Sequence, residues 1–223
     1  MTHSPDELAA IYRRRFEGRQ NYRARVWQVL LHDFFQSYIG TSSTVLDLGC
    51  GQGEFINQVR CGARYAMDLN PASAAQLDPA VRLLAQDCSS RWELDDDSLD
   101  VVFTSNFFEH LPDKRSLAST LAQAQRCLRT GGLLIALGPN IRYLPGAYWD
   151  FWDHYLPLTE TSLSEGLTLH GFEITRCLGR FLPFSMVNAP EYPLAALRLY
   201  LRLPLAWRIF GKQFLVVARK HAE

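Results

Sequence analysis

Three acidic residues offer the clearest chemistry in this sequence, because each stands at or just past the end of a short apolar run. They are Asp47, Asp68 and Asp87. Glycines follow the first run at the spacing Gly49-x-Gly51-x-Gly53. A turn of this kind permits a sharp reversal and a close backbone approach, and the N–H groups at the start of a following helix suit an anion. Together these residues predict a ligand site that contains both acceptors and donors.

The acid in front of the glycines separates two ligand classes. A dinucleotide loop has the spacing GxGxxG, whereas the third glycine comes one residue early here. Asp47 lies two residues before Gly49, where its carboxylate would repel a pyrophosphate and accept a hydrogen bond from an ammonium group. The pattern therefore favours a ligand with an amino-acid end over a dinucleotide.

A second group of residues could activate an acceptor. Glu109-His110 follows the apolar run 99–105, and the aromatic stretch 148–155 contains Asp153 and His154. The pair Asp153-His154 could act as a base oriented by an acid, and His110 is a second candidate base. In the alternative interpretation the aromatic rings pack as a lid and His154 is structural. Because the histidines and acids lack a recognisable ligand spacing, no metal site is expected.

The elements that must position these residues alternate along the chain. Apolar periodicity predicts helices over 5–39, about 52–60, 116–128 (closed by Gly131-Gly132), 159–170 and 193–204. Strands are predicted at 44–48, 64–69, 81–85, 99–105, 133–138, 172–176 and 213–218. This alternation predicts an α/β fold, a Rossmann-like and mostly parallel sheet of about seven strands with helices on both faces.

In motif content and order the chain resembles the class I S-adenosylmethionine-dependent methyltransferases over roughly residues 44–140. The matching segments are VLDLGCGQGEF, YAMDLNP, AQDCSS, LDVVFTSNFFEHL and LRTGGLLIALGPN. The resemblance implies that S-adenosylmethionine is the cofactor and that the last strand, 213–218, is antiparallel. It implies that the methionine end is held by Asp47, Gly49, Gly51 and Gly53. The ribose would be held by Asp68 beside Leu69, and the adenine by Asp87 and the backbone of Cys88. Asn106 and Phe107 would flank the methionine arm.

Nearly the whole chain resembles bacterial methyltransferases of polysaccharide and glycoconjugate biosynthesis. That likeness implies O-methylation of a sugar or glycoconjugate, the acceptor being a small molecule or a lipid-linked saccharide. Two alternatives stay open. The first is N- or C-methylation of another small metabolite, such as a quinone precursor. The second is that the chain is a degenerate partner subunit that binds the cofactor. We expect one domain over 1–223, with a helical cap (1–40), a cofactor-binding core (41–140), an acceptor-side lid (141–211) and a last strand and tail (212–223).

Composition limits the partners. The 223 residues are 48% hydrophobic with a formal net charge of zero, so the chain has no charge bias towards nucleic acid. The five cysteines show no CxxC pair, which favours a reducing, cytoplasmic setting. The segment 193–211 is apolar with Arg198 and Arg202 on one helix face, so it could pack internally, form a homodimer, or contact the inner face of a membrane. On the N-terminal helix, Arg23 or Arg25 could meet the methionine carboxylate or a substrate phosphate, or face solvent.

Overall fold

A single seven-stranded sheet organises the molecule in the computed structural model, which describes residue 18, residues 20–184 and residues 191–221. The strand order is β3-β2-β1-β4-β5-β7-β6. Strands β1 to β5 run parallel to one another, whereas β7 is antiparallel to both β5 and β6. The strands are β1 (Thr44–Leu48), β2 (Ala63–Met67), β3 (Val81–Leu84), β4 (Leu99–Ser105), β5 (Leu128–Pro139), β6 (Phe172–Leu178) and β7 (Gln213–Lys220). The expected fold class, including the antiparallel last strand, is confirmed.

Five α-helices in the described residues cover the sheet or its ends. They are α1 (Gln20–Asp33), α2 (Lys114–Cys127), α3 (Glu160–Leu169), α4 (Leu194–Leu201) and α5 (Pro204–Phe210). Side chains fix two of the starts, since Asp113 accepts from the N–H of Ser116 and Thr159 forms a capping box with Ser162. In the part of the chain described, no helix has the length and apolar character needed to cross a membrane.

Alternating side chains explain why both faces of the sheet are covered. Val102 of β4 joins the core cluster that includes Leu121 of α2 and Leu163 of α3. Its neighbours Val101 and Phe103 join the opposite cluster, which includes residues of α1, α4 and α5. Because successive strand residues point to opposite faces, a strand that is apolar throughout needs a helix layer on each side.

Several expected boundaries are wrong. No α-helix covers 52–60, where the chain forms hydrogen-bonded turns instead. The N–H of Arg60 donates to the side chain of Gln36, and Gly62 follows two residues later, so no helical ladder can extend. Helix α1 ends at Asp33 rather than 39, and the expected start of that helix near residue 5 lies outside the described residues.

Gly131 does not close a helix as expected. Helix α2 ends at Cys127, and β5 begins at Leu128 without a loop. Gly131 has a φ of +79°, and it falls where the register between β4 and β5 shifts, between the pairs Leu99–Leu128 and Val101–Leu133. Gly131 therefore lies at an irregularity in the pairing of β4 and β5, a place where glycine in a left-handed conformation is common.

The segment expected as a lid, 141–211, is not one structural unit. Helix α3 and strand β6, within 160–178, belong to the main sheet and its covering layer. Helix α4 packs against α1 and is followed directly by α5. Trp207 lies in the segment 193–211, for which membrane contact is one of the expected alternatives, but it is 6% exposed and packs on Phe181. Only 141–158 and the described parts of 179–211 are left to cover an acceptor.

Candidate active site

The ends of adjacent parallel strands bring the predicted cofactor residues together. In the β1–β2 register Leu48 lies beside Met67, and in the β1–β4 register it lies beside Thr104. Asp47, Asp68 and Asn106 stand within two residues of these strand positions, so they meet at the carboxyl edge. Ligands of open α/β sheets bind at this edge.

The three glycines shape a tight loop. Gly49, Gly51 and Gly53 have φ values of +74°, +54° and +75°, a region that side chains rarely adopt. Their N–H groups donate to the carbonyl of Met67, to Oδ2 of Asp68 and to the carbonyl of Cys50. The N–H groups of these three glycines therefore hold the shape of the loop itself, so N–H groups offered to a ligand would have to come from other residues of the turn.

Asp68 is held in place by main-chain donors. Its Oδ2 accepts from the N–H of Gly51 at 2.8 Å and its Oδ1 accepts from the N–H of Asn70 at 2.8 Å. Burial raises the pKa of this carboxyl, while those N–H donors lower it. A carboxylate oxygen has two lone pairs, so each oxygen can accept a further hydrogen bond from a ribose hydroxyl. Leu69 is half-buried next to it.

Asp47 lies in an environment that calls for a cation. It is 3% exposed, and burial raises the pKa of its carboxyl well above the usual range, with further contributions from the nearby charges of Glu54 and Asp68. Oε1 of Gln52 is also buried and has no hydrogen-bond partner. S-adenosylmethionine carries an ammonium and a sulfonium charge, so these acceptors fit its methionine end.

Helix α1 reaches the glycine loop through an ion pair. Nε of Arg23 donates to Oε1 of Glu54 at 2.6 Å. Gln58 joins the same two segments, since its side-chain amide donates to the carbonyls of Ala24 and Glu54. Arg25, the other expected contact, is exposed. The described part of the cap is therefore tied to the loop by Arg23.

The predicted adenine residues sit in a small polar turn after β3. Oδ1 of Asp87 accepts from both the N–H and the hydroxyl of Ser89, at 2.8 and 2.7 Å. The carbonyl of Cys88 accepts from Nε1 of Trp92 at 2.8 Å, and burial raises the pKa of the Cys88 thiol to about 11. The carbonyl of Cys88 thus already has one donor, the indole N–H of Trp92.

Asn106 and Phe107 close the glycine loop from the side of β4. Asn106 has a φ of +49°, and its N–H donates to the carbonyl of Leu137 at 2.8 Å. The turn places the ring of Phe107 so close to Gly49 that an added Cβ would lie 2.3 Å from it. Non-glycine residues in this conformation are often found at functional sites.

The acceptor-side residues lie beyond Phe107, where two loops are joined by main-chain hydrogen bonds. The carbonyl of Glu109 accepts from the N–H groups of Tyr155 and Leu156, at 2.8 and 3.1 Å. Nδ1 of His110 lies 2.8 Å from the carbonyl of Asp153 and 3.3 Å from its Oδ2. Asp153 was expected to orient His154, and the contact that the structure shows is with His110.

Aromatic rings surround the histidines. The rings of His110 and His154 are 5.1 Å apart, and Phe151 stacks on His154 at 4.8 Å. Tyr148 is fully buried beside His154. By contrast, Trp149 is 56% exposed and Trp152 is 82% exposed. The loop thus presents two indole rings to solvent next to a buried imidazole cluster.

Sequence reasoning gave no individual role to three residues of this region, which are Gln52, Glu54 and Tyr148. Glu54 stands one residue after Gly53, a position that gave no reason to expect a charge close to Asp47. Tyr148 is part of the aromatic stretch, but nothing in the sequence indicates that its hydroxyl is buried beside the histidines.

Comparison with known proteins agrees with this geometry. A family model described as a methyltransferase domain matches residues 19–176. A probable S-adenosylmethionine-dependent methyltransferase of Mycobacterium tuberculosis is 33% identical over 112 residues, which are 48% of this chain and 39% of the relative. The matched segment thus spans less than half the length of that curated relative.

Solved structures show the same fold. A chain from the complex between the Haloferax volcanii Trm112 methyltransferase activator and a methyltransferase aligns with a TM-score of 0.70 at 18% identity, covering 100% of both chains. A S-adenosylmethionine-dependent methyltransferase from Archaeoglobus fulgidus aligns with a TM-score of 0.68 at 19% identity, covering 92% of this chain and 99% of that one. With the family match over residues 19–176, these findings show that the chain belongs to the methyltransferase-domain family and that its cofactor is S-adenosylmethionine.

Proposed function

We propose that this methyltransferase O-methylates a hydroxyl group of a sugar or glycoconjugate. The observation that carries the proposal is the cluster of His110, His154 and Asp153 on the loops that directly follow Phe107. Phe107 packs on the glycine loop, and in this proposal the loop holds the methionine end of the cofactor, so the cluster would adjoin that end. A methyl acceptor bound there would meet imidazole and carboxylate groups.

The chemistry of the acceptor explains why such a cluster favours oxygen. The acceptor atom forms a bond to the methyl carbon while the carbon–sulfur bond breaks, which leaves S-adenosylhomocysteine. A neutral amine attacks without prior loss of a proton, whereas a hydroxyl is a weak nucleophile and benefits from proton removal. His110, His154 and Asp153 provide a route through which the hydroxyl proton can leave.

The exposed rings of Trp149 and Trp152 support a carbohydrate acceptor. An aromatic face can cover the apolar C–H face of a sugar ring, and the neighbouring carboxylate of Asp150, which is also exposed, can accept from sugar hydroxyls. Large exposed aromatic residues beside a site usually have a binding role. A quinone precursor would use the rings but would offer the carboxylate fewer hydroxyl donors than a sugar does.

A screen for methyl incorporation tests this proposal. Wild type would be incubated with labelled S-adenosylmethionine and a panel of nucleotide sugars, lipid-linked saccharides, amines and quinone precursors. We expect label in a hydroxyl of a saccharide. His154→Ala should slow turnover by about 10²–10⁴-fold and leave cofactor affinity unchanged, while His32→Ala, at a surface histidine, should change neither. Label that enters only amine or carbon acceptors would refute the proposal.

We also infer that α4 and α5 contact an anionic membrane surface, which would suit a lipid-linked acceptor. Five large apolar residues of this hairpin are exposed: Leu199, Leu203, Leu205, Ile209 and Phe210. The arginines among them, Arg198, Arg202 and Arg208, are exposed as well. An apolar surface with basic residues at its border is typical of helices that lie in a membrane interface.

Liposome sedimentation tests the membrane contact. We expect wild type to sediment with anionic vesicles at low salt, and Leu205→Asp combined with Ile209→Asp to stay in the supernatant. Leu169→Asp is the matched control, since Leu169 is 79% exposed at the end of α3. Wild type that stays in the supernatant would exclude the contact, and a concentration-dependent dimer broken by the same two substitutions would assign the surface to a homodimer.

A further inference from the structure

We infer that Glu109, His110 and His154 form a binding site for a divalent transition-metal ion on the acceptor side of the cofactor. Each residue offers one ligand atom, and these atoms all lie within 4.8 Å of one another. Glu109 and His154 are buried and His110 is half-buried. Two imidazoles and a carboxylate are a donor set that suits Zn²⁺ or Fe²⁺ and leaves coordination positions open.

Main-chain hydrogen bonds hold two of these ligands on facing loops. The carbonyl of Glu109 accepts from Tyr155 and Leu156, which directly follow His154 in the chain. Nδ1 of His110 contacts the carbonyl of Asp153, which directly precedes His154 in the chain. These hydrogen bonds therefore bring the backbone of all three positions together.

The contact of His110 with Asp153 is typical of a metal ligand. A carbonyl oxygen can only accept, so Nδ1 of His110 must carry the hydrogen, and the lone pair of the neutral ring is on Nε2. Oδ2 of Asp153 lies 3.3 Å from the same Nδ1. Histidine ligands commonly donate their second nitrogen to a carbonyl or carboxylate, which fixes the ring and raises its basicity.

The hydroxyl of Tyr148 is an independent observation in favour of a missing ligand. The whole residue is buried, and its hydroxyl oxygen has no hydrogen-bond partner. The ring of Tyr148 lies 4.8 Å from the ring of His154, so this hydroxyl belongs to the same buried cluster. Water or an acceptor oxygen on a bound ion would give this hydroxyl the partner that buried polar groups normally have.

Binding requires a small contraction of the cluster. Two atoms that each lie about 2.1 Å from one ion can be at most about 4.2 Å apart. The ligand atoms lie within 4.8 Å of one another, so binding requires them to approach by less than about 1 Å. The sequence led us to expect no metal because His154 follows the Glu109-His110 pair only after an interval that matches no known ligand motif. That expectation stays untested, and the geometry is the reason to depart from it.

The role of the ion, as distinct from its binding, rests on the proposed O-methylation. The ion would bind the acceptor hydroxyl oxygen and lower its pKa. The hydroxyl proton would leave to water, the oxygen would form a bond to the methyl carbon, and the carbon–sulfur bond would break with its electron pair on sulfur. The imidazoles would then act as ligands and would not take up the proton themselves.

Titration with Co²⁺, followed by visible absorption, tests the site without an activity measurement. We expect one Co²⁺ per chain, displaced by Zn²⁺ but not by an equal concentration of Mg²⁺, which prefers oxygen ligands. Glu109→Gln and His154→Ala should each weaken Co²⁺ binding at least about tenfold, and Asp153→Asn by about 10- to 100-fold, as for other groups that orient a ligand. His32→Ala should bind as wild type does. Unchanged S-adenosylmethionine affinity would show that each variant is folded.

The outcomes separate this inference from the proposed function. Failure of wild type to bind Co²⁺ or Zn²⁺, or equal binding by wild type and the two ligand variants, would overturn the metal site. Saccharide methylation that persists after chelation, with no metal in the protein, would overturn the proposed role of the ion in the reaction while leaving O-methylation intact. A metal site in a protein that methylates only amines would support the site and refute the proposed acceptor.

Discussion

At the scale of single residues, the cofactor site is a set of carboxylates kept close together. Asp47, Glu54 and Asp68 are near enough for the charges of the other two to raise the pKa of Asp47. Like charges in a buried place disfavour ionisation. In the absence of a cationic ligand this arrangement costs stability, which is common where a site is built for binding.

Replacing Asp47 should expose that cost. We expect Asp47→Asn to raise the melting temperature of the cofactor-free protein by a few degrees at neutral pH, since 1 kcal/mol corresponds to roughly 2–4 °C in a chain of this size. The same variant should bind S-adenosylmethionine more weakly, because the amide carries no charge to attract the ammonium. Thermal unfolding and calorimetric titration of both proteins measure the two effects.

The pH dependence of that difference has a definite sign. The pKa of Asp47 is raised in the folded state, while an unfolded Asp titrates at about 3.9. Between these values the folded protein holds a proton that the unfolded chain has lost, so wild-type stability falls as pH rises through this window. The advantage of Asp47→Asn should therefore grow from about pH 4 upwards. An advantage that is constant or shrinks would contradict the raised pKa.

At the scale of elements, the glycine loop joins backbone conformation to side-chain packing. Gly49 needs both a positive φ and the absence of a Cβ, because Phe107 occupies that space. Gly131 needs only the positive φ, since an added Cβ would meet nothing within 4 Å. Gly146 needs neither. Substitutions at these three positions therefore distinguish the cost of a positive φ from the cost of a steric clash at the added Cβ.

Alanine at each position should give a graded result. Gly146→Ala should leave stability unchanged or raise it by about 0.4–1 kcal/mol through the unfolded state. Gly131→Ala should lose about 1–2 kcal/mol from left-handed strain alone. Gly49→Ala should lose more than Gly131→Ala and also weaken cofactor binding, because Phe107 must move. Denaturant unfolding gives the order, and a Gly49→Ala protein as stable as the Gly131→Ala protein would contradict the close packing.

Local patterns predicted the strands better than the helices. Leu99–Ser105 was predicted with its observed bounds, because a short apolar run between polar segments is typical of a buried strand. The helix expected at 52–60 does not form, and side chains of Gln58 and Gln36 bind backbone groups of Glu54 and Arg60 within this range. The bond from Gln36 comes from a residue distant in sequence, so no local periodicity could reveal it.

At the scale of the whole molecule, the strand order places the function. Asp47, Asp68 and Asn106 meet because β1 lies between β2 and β4, and the motif order along the chain allowed this to be predicted. The contact between His110 and Asp153 joins positions 43 residues apart, and only the folding of the loops after β4 and β5 brings them together. The sequence therefore predicted which residues meet at the carboxyl edge and left the pairing of His110 with Asp153 open.

Calorimetric titration with S-adenosylmethionine determines whether the carboxyl edge of β1, β2 and β4 binds this cofactor. Wild type should bind one molecule per chain. Asp68→Ala should weaken binding by roughly 10- to 150-fold, the effect of losing hydrogen bonds to a charged group worth about 1.5–3 kcal/mol. His154→Ala should bind as wild type does. No binding of S-adenosylmethionine or its demethylated product by wild type, or equal affinity in Asp68→Ala, would contradict the assignment of this edge as the cofactor site.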